Sequence, residues 1–392
     1  MSQPIRTRTR NGKRRVGQSS RLNLRMRDQT KLNRISRGNR LKLKSIRTIE
    51  QSAHEYDVPE FDYDQLENIR LQALSSADNK ICYDQKSVWT LQQLDNAEAI
   101  NGDLDPAQAI LTWCMTVLAH SPLAKAMIEE TKEEDWQIGF ADLDGHDFHL
   151  DVPDQTAFLS NHNLEAPAIA RSSYFMNATL VGFMRALRDI AQEKRHGGFE
   201  ELHDPEDVML LERIRTADLD VISTMVAWDL RENGFPEIWR YLLASESGDI
   251  AMAFSAAYDA HPFSCVKGSA PVAAFCLWFD NKDRVNACDR ETLDYLDNVI
   301  MNTPYDENPF GDRNPTEIGI EILSCLPDKT AYLKGWGGEI LCDPHYAGLH
   351  DEINQSHLLQ IISDINVTYV GGIAFRDAGL AEKLFPSSDS IH

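Results

Sequence analysis

Acids and histidines recur at three-residue spacing in the middle of this chain. Glu193-x-x-His196 and Glu200-x-x-His203 each have the i, i+3 separation that sets a carboxylate and an imidazole on one helix face, as in di-iron carboxylate bundles. Gly197-Gly198 stands between them, so one straight helix cannot carry both. The further glutamates of such a centre are not identifiable. The alternative is a helix end whose basic residues answer its last carbonyls. His146 and His149, among Asp142, Asp144, Asp147 and Asp151, could meet at one ion only in an irregular loop, because strand positions three apart face opposite sides. Ser264-x-x-Lys267 has acyl-transfer spacing without the supporting motifs of that class. His345, His350 and His357 are spaced too widely for one helical face.

The elements that must position these groups centre on two helices. Met176, Leu180, Phe183, Leu187 and Ile190 predict a helix from Tyr174 to Lys194, ended by Gly197-Gly198. A polar stripe of Val181, Arg185, Arg188 and Gln192 borders its apolar face. Asp204 as N-cap, Pro205 at the first position and Glu206 and Asp207 behind them predict a second helix, stopped at Asn233-Gly234. Its apolar stripe of Leu211, Ile214, Val221, Met225 and Trp228 also carries Asp218. A buried carboxylate is costly unless paired, and Arg185 and Arg188 are the natural partners. A structural ion pair and a functional carboxylate both satisfy that pattern. Ahead of the pair, Trp136 to Phe140, Asp147 to Asp151 and Thr156 to Ser160 predict short strands turning at Gly145 and Pro153.

The stretch LRDIAQEKRHGG, followed by LERIRTADLDV and AWDLRENG, resembles the metal-binding core of zincin metallopeptidases. More narrowly, it is similar to a bacterial family of uncharacterised putative metallopeptidases. The resemblance covers about residues 136–234. A zincin carries His-Glu-x-x-His on one helix, two imidazoles for zinc and a glutamate as the base for its water. Aligned here, those positions fall on Arg185, Ala186 and Asp189, so the motif is not retained. A third, acidic ligand would come from near Thr216, Asp218 or Asp220 of the second helix. The resemblance implies a zincin-like scaffold with a degenerate metal motif and a binding or regulatory role. Arg185, Arg188, Asp189, Gln192 and Asp218 would then form a polar network where metal chemistry would otherwise sit. The alternative is an active metal-dependent hydrolase, zinc being the candidate ion. Its non-standard site would be drawn from Asp189, His196, His203, Asp218 and Asp220.

The whole chain of 392 residues reads as α+β and predominantly helical, with a small antiparallel sheet before the central helix pair. Residues 105–392 form the globular domain, and 48–104 an acidic linker with short helices, for example Tyr63 to Leu74 and a helical turn within Ser87 to Asp95. Later helices are expected from Pro236 to Ala244, Ile250 to Tyr258, Ala270 to Phe279, Asp289 onward, after Asn314-Pro315, His350 to Ile362 and Ala378 to Leu384. GWGGEI reads as a turn. Residues 1–47 hold sixteen Lys and Arg against the single acid Asp28, a charge of +15, which leaves −37 for the rest of a chain of net −22. Such a composition predicts a disordered arm. It could neutralise nucleic-acid phosphates or an anionic surface, or serve as a transit peptide to an organelle matrix. The seven scattered cysteines, with no C-x-x-C, predict reduced thiols and a cytoplasmic setting. No apolar run is long enough for a membrane span.

Overall fold

A computed structural model of the chain describes residues 66, 68–70, 87–96, 104–261, 263, 268–304, 307–365, 368–370 and 373–375. The basic arm, most of the Tyr63 to Leu74 stretch, Ser264, Lys267 and the stretch Ala378 to Leu384 lie outside the described residues.

The chain enters as strand β1 (Val88–Thr90) and helix α1 (Leu91–Asp95), whose Thr90 and Gln93 form a reciprocal capping box. The helical turn expected here is therefore half strand. Helices α2 (Pro106–Leu118) and α3 (Pro122–Lys132) begin on Asp105 and Ser121 caps, each followed by proline. Strands β2 (Gln137–Ala141), β3 (Phe148–Asp151) and β4 (Thr156–Ser160) follow. The sheet order is β1-β2-β4-β3. It is mixed and not purely antiparallel: β1–β2 and β3–β4 run antiparallel, but β2 and β4 run parallel, Gly139 opposite Phe158. The reason is that β3 adds outside β4, so β4 returns beside β2 in the same direction.

Helix α4 (Ala166–Arg171) leads into the long α5 (Ser173–His196) and α6 (Pro205–Glu232). Helix α5 stops where Gly197 takes φ of 66°, a left-handed value that suits glycine. Helix α6 starts on Asp204, whose Oδ1 accepts from Asp207 N at 2.9 Å. The rest is helical: α7 (Pro236–Ala244), α8 (Gly248–Ala260), α9 (Ser269–Asp280), α10 (Lys282–Asn302), α11 (Glu317–Leu323), α12 (Gly337–Cys342), α13 (Pro344–Ala347) and α14 (Glu352–Ile365). A hairpin of β5 (Thr368–Val370) and β6 (Ile373–Phe375) closes the described chain. Three starts differ from the sequence expectation. Helix α10 begins at an Asn281 cap, α11 takes Thr316 as its cap, and GWGGEI opens α12 instead of a turn. No described helix is long and apolar enough to cross a membrane.

Among the described residues, helix α6 is the element on which the most others pack. Helices α5, α7, α8, α9, α10, α11 and α14 all pack on it. Its burial is therefore not a stripe but almost all round, taking in Arg213, Arg215, Asp218 and Asp220 with the apolar residues. Helix α5 is held equally close to the sheet. A Cβ at Gly182 would stand 3.1 Å from the Asp147 carbonyl oxygen, which explains a glycine there and brings the loop before β3 against the next turn of α5.

Candidate functional site

Asp218 and Asp220 are two residues apart, so the helical turn sends them to different sides of α6. Each becomes the centre of its own polar cluster. The Asp218 side chain has no solvent exposure and Arg188 has 1%. Arg188 Nε donates to Asp218 Oδ2 at 2.5 Å, Gln192 Nε2 donates to the same oxygen at 2.7 Å, and Tyr332 Oη donates to Oδ1 at 2.9 Å. The rest of the Arg188 guanidinium donates to Cys325 O at 2.9 Å and Leu323 O at 3.1 Å. Gln192 also reaches Leu323 O, and Arg195 reaches Cys325 O and Glu130. Donors from α5 thus satisfy the open carbonyls at the end of α11. One positive and one negative charge meet here with their hydrogen bonds nearly complete. Burial and the Asp218 carboxylate beside it push the Tyr332 phenol far above its ordinary range, so it stays a donor.

Arg185 does not join Asp218. It pairs with Asp220, and its second nitrogen donates to Asp147 Oδ2 at 2.7 Å. Asp220 also accepts from Ser247 Oγ at 3.2 Å and from the indole Nε1 of Trp278 at 3.0 Å. This cluster joins the sheet, both central helices and α9, and its outer member Asp147 reaches solvent.

The third cluster lies toward the end of α5. Arg215 donates to Asp189 Oδ1 at 2.7 Å and to Glu193 Oε2 at 3.1 Å. Glu212 stands nearby, and Glu200 accepts from Tyr295 Oη at 2.6 Å. Burial, with Asp189, Glu200 and Glu193 around it, raises the Glu212 carboxyl to about 7, against the pull of Arg215. Burial and then Arg215, Arg195 and Arg188 lower His196 to about 4, so the imidazole is neutral near pH 7. It therefore contributes no charge to the end of α5, and its Nε2 is buried without a partner. Elsewhere on α6, Arg213 pairs with Asp289 and donates to Tyr346 O and Gly348 O, both at 3.0 Å.

These contacts locate the candidate metal ligands. Asp189, Asp218 and Asp220 face three different arginines, His196 stands among guanidinium groups, and His203 Nδ1 contacts the Arg313 carbonyl. Among the described residues no three His, Cys, Asp or Glu side chains converge as a metal site would require, His146 and His149 included. Of the network expected from sequence, the structure joins Arg188, Gln192 and Asp218, sends Arg185 to Asp220 and gives Asp189 to Arg215. Sequence reasoning missed Tyr332, Arg213, Arg215 and Glu212. The last three gave no signal in the sequence, because polar residues on a long helix read as its solvent face.

Residues 167–302 match the model of a family described as "Putative metallopeptidase family (DUF6782)". The match spans both central helices and runs to the end of α10. Comparison with curated proteins and with solved structures returned no match.

Proposed function

We propose that this chain is a metallopeptidase-like protein whose helix pair has exchanged metal ligation for arginine–carboxylate pairing and which serves a binding or regulatory role. The observation that carries this reading is the fate of the three positions aligned with His-Glu-x-x-His. Arg185 is a cation paired with Asp220 and Asp147, Ala186 is a buried methyl, and Asp189 is committed to Arg215. A guanidinium cannot give up a proton near neutral pH and has no lone pair to offer a metal. A methyl group cannot act as a base. A cytoplasmic setting is part of this reading.

Elemental analysis of the purified, tag-free protein tests it, with Asp189→Ala and Asp218→Ala alongside. The expected result is no stoichiometric zinc, iron or manganese in any sample. One equivalent of metal in the parent chain, lost in either variant, would overturn the reading in favour of a hydrolase with non-standard ligands.

A further inference from the structure

Beside the Arg185 cluster, a cleft of about 310 Å³ opens between the first turns of α5 and helix α7. Tyr174, Asn177, Glu237, Arg240, Tyr241 and Ala244 line it. The volume falls at the small end of ligand pockets, which begin near ~300 Å³. Asn177 is the unusual member. It sits inside α5, where asparagine is a poor helix former, with only 9% of its surface exposed. An asparagine inside a helix ordinarily reaches solvent or bonds back to its own backbone. The Asn177 carboxamide does not bond back: it has no hydrogen-bond partner among the described residues and opens onto the cleft. Above it, the Tyr174 and Tyr241 rings meet edge to face, 5.3 Å apart at 63°. Tyr174 is 61% exposed although aromatic. At the mouth, Arg240 and Glu237 pair at 3.0 Å, with both side chains open to water.

We propose that this cleft binds a short peptide segment, whose backbone the Asn177 carboxamide would read. One amide offers a donor and an acceptor side by side, the complement of a peptide's own C=O and N–H. The tyrosine rings would cover the apolar part of the segment, their hydroxyls hydrogen-bonded to each other. The Glu237–Arg240 pair presents both charges to polar side chains at the mouth. A nucleobase fits less well, because the two rings stand edge to face and form no parallel jaws. A sugar fits less well, because a single planar polar group forms the floor.

The test uses the full-length chain, isotope-labelled, with NMR detection of the Asn177 side-chain amide. Blocked tripeptide amides are titrated in, with adenosine and maltotriose as the other two probes. Saturable movement of the Asn177 signals by at least one peptide, and by neither other probe, is the expected result. Asn177→Leu should weaken that peptide at least tenfold, as read from the remaining cleft signals. Should Asn177→Leu fail to fold, Ala244→Trp, at an exposed position, fills the cleft from its rim and should abolish the same shifts. Saturation by adenosine or maltotriose instead, by no probe at all, or peptide binding unchanged in the substituted chain would overturn the proposal. Amide titration reads this cleft and elemental analysis reads the metal content, so each outcome stands without the other.

Discussion

Asp218 and Arg215 lie three residues apart on the same helix, yet their surroundings are opposite in kind. Around Asp218 one carboxylate meets one guanidinium, and four neutral groups share their hydrogen bonds: Gln192, Tyr332 and the carbonyls of Leu323 and Cys325. Around Arg215 one guanidinium faces Asp189, Glu193 and the nearby Glu212, with Glu200 adding to the acid excess. The first cluster is the more deeply buried, but it is balanced. The second is closer to solvent and out of balance, and there a carboxyl rises to about 7 and an imidazole falls to about 4. Burial is the largest cause of both shifts, and the local charges add to it: carboxylates around Glu212, guanidinium groups around His196.

The largest effect should come from breaking the balanced cluster. Arg188→Ala removes the cation and leaves Asp218 buried with two neutral donors. Orphaning one member of a buried pair costs about 3–5 kcal/mol. Urea unfolding at pH 7 should show that loss, and adding Asp218→Leu to the same chain should recover a large part of it. Unchanged stability in Arg188→Ala would mean that the pair is not buried in solution as the structure places it.

How much of this contrast could be read from sequence follows from where the partners come from. Asp204-Pro205, Gly197 and Asn233 mark helix ends through local backbone chemistry, and the structure ends its helices there. Asp218 was recognisable as a carboxylate on an apolar stripe. Its partner was less certain, because Arg185 and Arg188 both border that stripe. The choice is made by distant groups: Asp147 before β3 draws Arg185, while the end of α11, more than 130 residues away, draws Arg188. Arg215 and Glu212 were hidden for a different reason. Polar residues on a long helix suggest a wet face, and α6 has almost none, because α8 to α11 and α14 close around it together with its sequence neighbours α5 and α7. The strand β1 escaped notice because three residues carry too little alternation to identify.

The unbalanced cluster should reveal itself through pH. Glu212 has a folded pKa near 7 against an unfolded value of about 4.3. The fold therefore holds this proton more tightly than the unfolded chain does. The associated stability is complete below about pH 4 and is lost as pH rises toward and through 7. Asp189 and Glu193 from α5 and Glu200 from the connecting loop add to the effect of burial, and Arg215 opposes it. Glu212→Gln keeps the shape and removes the ionisation. It should stabilise the protein by about 2 kcal/mol at pH 8, less than the full shift implies because the side chain is partly exposed, and by almost nothing at pH 4. Equal gains at both pH values would trace the effect to packing and remove the acid-excess argument.

A smaller effect of opposite sign comes from the neutral imidazole. His196 has a folded pKa near 4 and an unfolded one near 6.5, so the unfolded chain takes up the proton first. Its contribution is present above about pH 6.5 and is lost as pH falls through 4. His196→Gln should flatten the fall in stability between those limits by about 1 kcal/mol, while leaving the pH 8 value nearly unchanged. The two variants thus act on opposite limbs of one stability profile. Glu212→Gln should lift the alkaline side and His196→Gln the acid side, although both residues surround the same Arg215. A double variant should therefore show a broader plateau than either single one, with the gains adding only where the two pH windows do not overlap. If His196→Gln instead lowers stability evenly at every pH, its imidazole is held as a shape-filling group and the three arginines beside it do not set its charge. The contrast with Asp218 would then rest on Glu212 alone.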